Sequence, residues 1–121
     1  MQALQVRKHK MQPKLYILCR SDLSDLTYSS LQGGHALAQY LIDYPDTEWN
    51  NGTLIYLDGG DEKNLMRWAE KLSYKGIKYS AFIEPDIGHQ LTAIASLGDG
   101  KTFANLKLLG RKKNEEAEVV A

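Results

Sequence analysis

An unbroken apolar run, Leu15-Tyr16-Ile17-Leu18-Cys19, stands near the start of the chain. Short, β-prone and without alternation, it predicts a strand buried on both faces. A polar turn over 20–27 follows. Apolar and small residues then recur at Leu31, Gly34, Leu37, Ala38, Leu41 and Ile42. Steps of three and four predict an amphipathic helix with these six as its apolar stripe. Thr27 or Ser29 is the expected N-cap, since a hydroxyl accepts an orphan backbone N–H, and Pro45 ends the helix. Gly33 and Gly34 each cost about 1 kcal/mol in a helix interior, which points to close backbone approach, to the sheet or to a partner.

Residues 53–57 (TLIYL) predict a second buried strand after the Asn51-Gly52 turn. Asp61 is the expected cap of a second helix carrying Leu65, Met66, Trp68, Ala69 and Leu72, with Gly76 as its stop. Strands over 79–83 and 90–97 follow, separated by Glu84-Pro85-Asp86-Ile87-Gly88-His89, and a short helix over 102–109 closes the domain. The order is β-α-β-α-β-β-α. Strands separated by helices favour crossovers and a largely parallel sheet. The third and fourth strands are joined too tightly for a crossover, so one of them runs antiparallel to its neighbour. The expected fold is α/β and three-layered: a four-stranded mixed, mostly parallel sheet with helices on both faces.

Length and composition add limits. The 121 residues suit one domain, over 14–109, between a basic arm (1–13) and a charged tail (110–121) expected to be disordered. Fifteen basic residues balance fifteen acidic ones, which removes any global electrostatic case for nucleic acid or a membrane surface. No apolar run approaches the roughly 20 residues of a membrane span, and the amino-terminal stretch lacks the apolar core of a signal peptide. One cysteine excludes a disulfide framework. A cytoplasmic protein is the expectation. Cys19, inside the first strand, reads as a small core residue.

The candidate chemistry is sparse. Residues 95–102 (ASLGDGKT) imitate a phosphate-binding loop, but Ala95 stands where the pattern needs glycine, and the motif comes too late in the chain. A phosphate at the start of the last helix, near Lys101, is what survives of it. His9, His35 and His89 have no zinc-site spacing, so neither metal nor cofactor is expected. His35 reads equally well as a packing residue. Ligands of open α/β sheets bind beyond the carboxyl ends of the strands. Arg20 and Asp22 follow the first strand there, and Asp86 and His89 follow the third. Each alone has a plain structural reading, Asp22 as a cap and Asp86 as a turn residue. Their joint placement makes a site.

The string Arg20-Ser21-Asp22-Leu23, followed by Gln32-x-x-His35-Ala36, resembles the archaeal and eukaryotic class of peptidyl-tRNA hydrolases. Residues 86–90 (DIGHQ) look like a shortened form of that family's Asp-Ala-Gly-x-Thr-Gln loop, and 97–100 (LGDG) like its glycine-rich exit. The resemblance spans about residues 14–109 and implies hydrolysis of the ester between peptide and tRNA. It implies a lysine, the loop aspartate and a threonine as catalytic groups. Asp86 matches the aspartate, Thr92 is the available threonine, and His89 stands beside them. The lysine position falls on Tyr28, and no lysine occurs between Lys14 and Lys63. Arg20, Asp22, Tyr28, Gln32, His35 and Lys101 are then the candidate substrate contacts. Losing the lysine removes a cation that could stabilise an oxyanion. Two readings follow: a divergent hydrolase, or a catalytically impaired fold that binds tRNA, a nucleotide-like ligand or a protein partner. The family and Gly33-Gly34 suggest a homodimer.

Overall fold

A computed structural model describes residues 12–111. Residues 1–11 of the expected arm and 112–121 of the expected tail, with the basic cluster at Arg7, Lys8, His9 and Lys10, lie outside the described residues. Four strands, β1 (Lys14–Arg20), β2 (Leu54–Gly60), β3 (Ser80–Glu84) and β4 (Gln90–Gly98), form one sheet in the order β2-β1-β4-β3. β1 pairs parallel with β2, while β4 runs antiparallel to both β1 and β3. Three strands therefore point one way, and β4 is the reversed member that the tight β3–β4 connection required.

Two helices cover the two faces. α1 (Leu26–Asp43) joins β1 to β2, and α2 (Glu62–Tyr74) joins β2 to β3. Alternation along β1 divides the core: Leu15, Ile17 and Cys19 pack with Ala36 and Tyr40 of α1, while Tyr16 and Leu18 pack with Leu65 and Leu72 of α2. β1 is buried on both faces, which is why its sequence carries no polar alternation. α2 follows its pattern closely. The Asp61 side chain accepts from the Asn64 N–H, and the helix stops where Gly76, at φ +71°, donates to the Ser73 carbonyl and Ile77 to that of Leu72. That is a Schellman closure, which needs the left-handed conformation at Gly76.

α1 departs from its pattern. Its inward residues are Ser29, Gln32, Gly33, Ala36 and Tyr40, whereas Leu31, Leu41 and Ile42 are exposed. Of the predicted stripe, Leu31, Ala38, Leu41 and Ile42 point away from the sheet, while Leu37 packs against the core. Close packing explains the choice: a Cβ on Gly33 would lie 2.6 Å from both Cys19 Sγ and Tyr56 Cε2. The approach expected of the glycine pair is made by Gly33 alone, and it is to the sheet; Gly34 faces more open space. The N-cap is Asp25, whose carboxylate accepts from the Tyr28 N–H at 2.8 Å, and neither Thr27 nor Ser29.

The last predicted helix does not form. Residues 101–105 make turns, and 107–109 run along the outer edge of β2, bonding Lys107 O to the Asp58 N–H and the Leu109 N–H to Tyr56 O. Phe103, 3% exposed, anchors the turn between Tyr16 and Trp68, each at a ring distance of 5.2 Å. This segment covers an edge that would otherwise present unpaired backbone groups.

Candidate functional site

The carboxyl ends of β1, β2 and β3 and the start of β4 share one end of the sheet. Two polar networks meet there, one on each face. The first centres on Arg20, which continues the Tyr16-Leu18 side of β1 and is 7% exposed. Its Nε and Nη2 donate to the two oxygens of Asp22 at 2.8 and 3.0 Å. Nη1 donates to Gln90 Oε1 at 2.8 Å. Beside it, Glu62 at the start of α2 accepts from the Leu91 N–H at 2.9 Å. The bidentate bond holds the Asp22 carboxyl below the usual carboxylate range and raises the Arg20 guanidinium. Its positive charge is thus matched by an adjacent carboxylate.

The second network lies under α1. Thr92 Oγ1 donates to Gln32 Oε1 at 2.9 Å, and Gln32 Nε2 donates to Glu84 Oε1 at 3.0 Å. Thr92 and Gln32 are fully buried and Glu84 nearly so. A register shift makes this geometry. The pairing of β3 with β4 steps from Phe82–Ala93 to Ile83–Leu91, which leaves Thr92 as the bulged residue and turns its hydroxyl toward α1. Glu84 closes the chain by accepting from the Asp86 N–H at 3.3 Å and by capping the short 3-10 turn Pro85–Ile87.

At the mouth of this network stand Tyr28, Asp86 and His89. Desolvation, then the Glu84 and Asp86 carboxylates, hold the Tyr28 phenol above its ordinary value; it stays a neutral donor at pH 7. Asp86 and His89 are exposed, and His89, at φ 58°, is the one non-glycine with positive φ among the described residues. A short polar side chain tolerates that conformation at modest strain, and such strain concentrates at functional sites.

Seven predicted residues, Arg20, Asp22, Tyr28, Gln32, Asp86, His89 and Thr92, therefore occupy one end of the sheet. Two do not join them. His35 is exposed and stacks on Phe82, with centroids 4.5 Å apart and planes 17° apart, as a packing residue does. Lys101 lies at the other end, because β4 is reversed and its last residue, Gly98, pairs with Lys14 at the start of β1. With no helix after it, the phosphate site expected there has no basis. Glu84, Gln90 and Glu62 were not legible as site residues. Glu84 reads as a turn residue before Pro85, and nothing in the sequence pairs it with Gln32 across the fold.

Cys19 takes no part. Burial first and the Asp58 carboxylate second push its thiol up to about 12; the thiolate needed for nucleophilic or metal chemistry is suppressed. No cluster of three or more metal-ligating side chains occurs among the described residues. A crevice of about 260 Å³ opens nearby, between Ser21, Asp25, Ser29, Asp58 and Arg111.

No family model and no curated protein matches the chain. Among solved structures, the protein of unknown function Atu0240 from Agrobacterium tumefaciens is similar in fold, with a TM-score of 0.61 at 14% identity. The match covers 82% of this chain and 98% of the other. It establishes the architecture and carries no activity.

Proposed function

We propose that this protein is a peptidyl-tRNA hydrolase-like esterase whose site is the carboxyl end of the sheet. The observation that supports this most is convergence. Residues from β1, α1, the β3–β4 turn and β4, singled out by their resemblance to one family's motifs, come together at the place where open α/β folds bind ligands. Asp86 is the general base that draws a proton from the attacking water. Tyr28 donates a hydrogen bond to the carbonyl oxygen as negative charge develops on it. Gln32 and Glu84 position these groups; the Thr92 hydroxyl, committed to Gln32, positions and does not attack. Arg20 and Gln90 form the wall that meets the substrate. A cytoplasmic homodimer belongs to the same reading. No helix among the described residues is long and apolar enough to cross a membrane.

A neutral phenol stabilises an oxyanion less than a lysine ammonium does, and removing one such donor typically costs about 10²–10³ in rate. Slow turnover is expected. The test is release of free tRNA from peptidyl-tRNA by wild type, Asp86→Asn and Tyr28→Lys. Wild type should turn over slowly, Asp86→Asn should lose activity, and Tyr28→Lys should gain it. Absence of release by wild type removes the hydrolase reading. The second reading, a binding protein without turnover, is favoured by two features: the Thr92 hydroxyl is sequestered, and the Arg20 charge is answered by Asp22. It predicts retention of tRNA or thermal stabilisation by a nucleotide, with no ester cleavage.

A further inference from the structure

A cavity of about 510 Å³ takes no part in the site described above. Its volume lies within the range of small-ligand pockets, roughly 300–1,000 Å³. It opens at the opposite end of the sheet, where α1 stops and β4 runs out: its wall includes Leu97, the register partner of Leu15 near the start of β1. Tyr40 and Tyr44, one helical turn apart, form an aromatic side, with ring centroids 4.7 Å apart and planes tilted by 44°. Both hydroxyls are engaged. That of Tyr44 donates to the Tyr79 carbonyl at 3.1 Å, and that of Tyr40 is hydrogen-bonded to Thr47. The pair therefore has ring face to offer. The Tyr44 ring already holds one cation, the Lys78 ammonium, 5.6 Å from its centroid, inside the reach of about 6 Å for such a contact. Around the rings stand the exposed carboxylates Asp43, Asp46 and Glu48. Asp43 is fixed by Gln39 and Ser80, which donate to its two oxygens at 2.9 and 2.7 Å. Asp46 and Glu48 form no ion pair among the described residues. Three carboxylates against one ammonium leave two negative charges unanswered.

We propose that this cavity binds a small organic dication, an alkyl chain carrying an ammonium or guanidinium group at each end. The carboxylates alone would be an ordinary solvated rim. Here they flank an aromatic wall in a concavity large enough for the chain, so a positive group can exchange water for ring face and carboxylate together. The methylenes between the two charges then lie against the tyrosine rings and Leu97. A divalent metal ion fits worse, because it needs several oxygen donors converging on one point. No three metal-ligating side chains converge in this way among the described residues. Two charges held apart by a chain suit carboxylates that are spread out. An anion would meet three carboxylates. Lys78 belongs to the site as an internal competitor, since a bound cation must displace its ammonium from the Tyr44 ring. The inference does not depend on the proposed esterase activity.

The test is calorimetric titration of the full chain at pH 7 with 1,4-diaminobutane, beside n-butylamine and magnesium chloride at matched ionic strength. The diamine should bind with a Kd of about 1 mM or below. The monoamine and the magnesium ion should each bind at least about tenfold more weakly. In proton NMR the Tyr40 and Tyr44 ring resonances should move in step with the heat. Asp46→Asn combined with Glu48→Gln should weaken diamine binding by about tenfold; both side chains are exposed, so the fold should survive. Lys78→Met should tighten binding severalfold. Lys75→Met removes another exposed lysine, one outside the cavity wall, and should leave binding unchanged. No binding of the diamine up to about 10 mM overturns the proposal. So does diamine binding that magnesium matches, or that the double amide variant leaves unchanged.

Discussion

At the residue scale, the helix-sheet contact turns on one hydrogen atom. Gly33 sits where a methyl group would strike Cys19, Tyr56 and Ile17 at 2.6–3.0 Å, two of the three within β1. Gly33→Ala gains about 1 kcal/mol of helix propensity but forces overpacking that typically costs 1–3 kcal/mol, here against the fully buried Cys19 and Ile17 side chains. The expected outcome in urea unfolding is a net loss of stability. Gly34→Ala, with its nearest neighbour 4.0 Å away, should stabilise by several tenths to about 1 kcal/mol. Opposite signs at adjacent glycines would show that contact, not propensity, governs this helix. The same contact explains a failure of the sequence pattern. Around Gly33 the inward face of α1 is small or polar, Ser29, Gln32 and Ala36, and of its leucines only Leu37 reaches the core, so hydrophobic periodicity pointed mostly to the wrong side.

At the scale of elements, the strands were legible because burial on both faces leaves unbroken apolar runs, as in Leu15-Tyr16-Ile17-Leu18. α2 was legible because its caps, Asp61 and Gly76, agree with its apolar stripe. The segment after β4 was not. Its small apolar pattern reads as a helix, but Phe103 is drawn between Tyr16 and Trp68, and 107–109 are taken up by the edge of β2. Phe103→Ala should therefore behave as a core truncation, costing about 3–5 kcal/mol in chemical denaturation. A cost below about 1 kcal/mol would mean that the segment merely rests on the surface. The candidate site was half legible by the same logic. Arg20, Asp22 and Asp86 follow strands and announce themselves. The bulge that turns Thr92 toward Gln32, and the buried Glu84 that receives Gln32, depend on register, which local sequence does not encode.

At the scale of the molecule, pH dependence follows from carboxylates whose ionised forms are held by partners. Asp22 is lowered by the hydrogen bond from Arg20, and Asp43 by hydrogen bonds from Ser80 and Gln39. A carboxylate depressed in the folded state stabilises fully above its unfolded value, about 3.9. That contribution is lost as pH falls through the folded value. Thermal midpoints should thus hold steady through mild acid and decline below about pH 4. Asp22→Asn should flatten the decline. Both groups are solvent-accessible, so the effect should shrink with added salt.

The strand order β2-β1-β4-β3 carries a consequence for synthesis. β1 is made first but lies between β2 and β4, and the last strand made is the one that joins β3 to the rest. Until β4 has left the ribosome, β3 has no neighbour, and one edge of β1 stays open. The pairing of β3 and of the free edge of β1 must wait for β4, and such long-range pairing is slow compared with local helix formation. During translation the two helices can form only as isolated, marginal segments. The domain should complete its sheet, its buried Thr92–Gln32–Glu84 network and its site only once β4 has emerged. A product ending before residue 90 would keep the β1–β2 pair but lose the strand that ties β3 to the sheet and the Thr92 hydroxyl that holds Gln32.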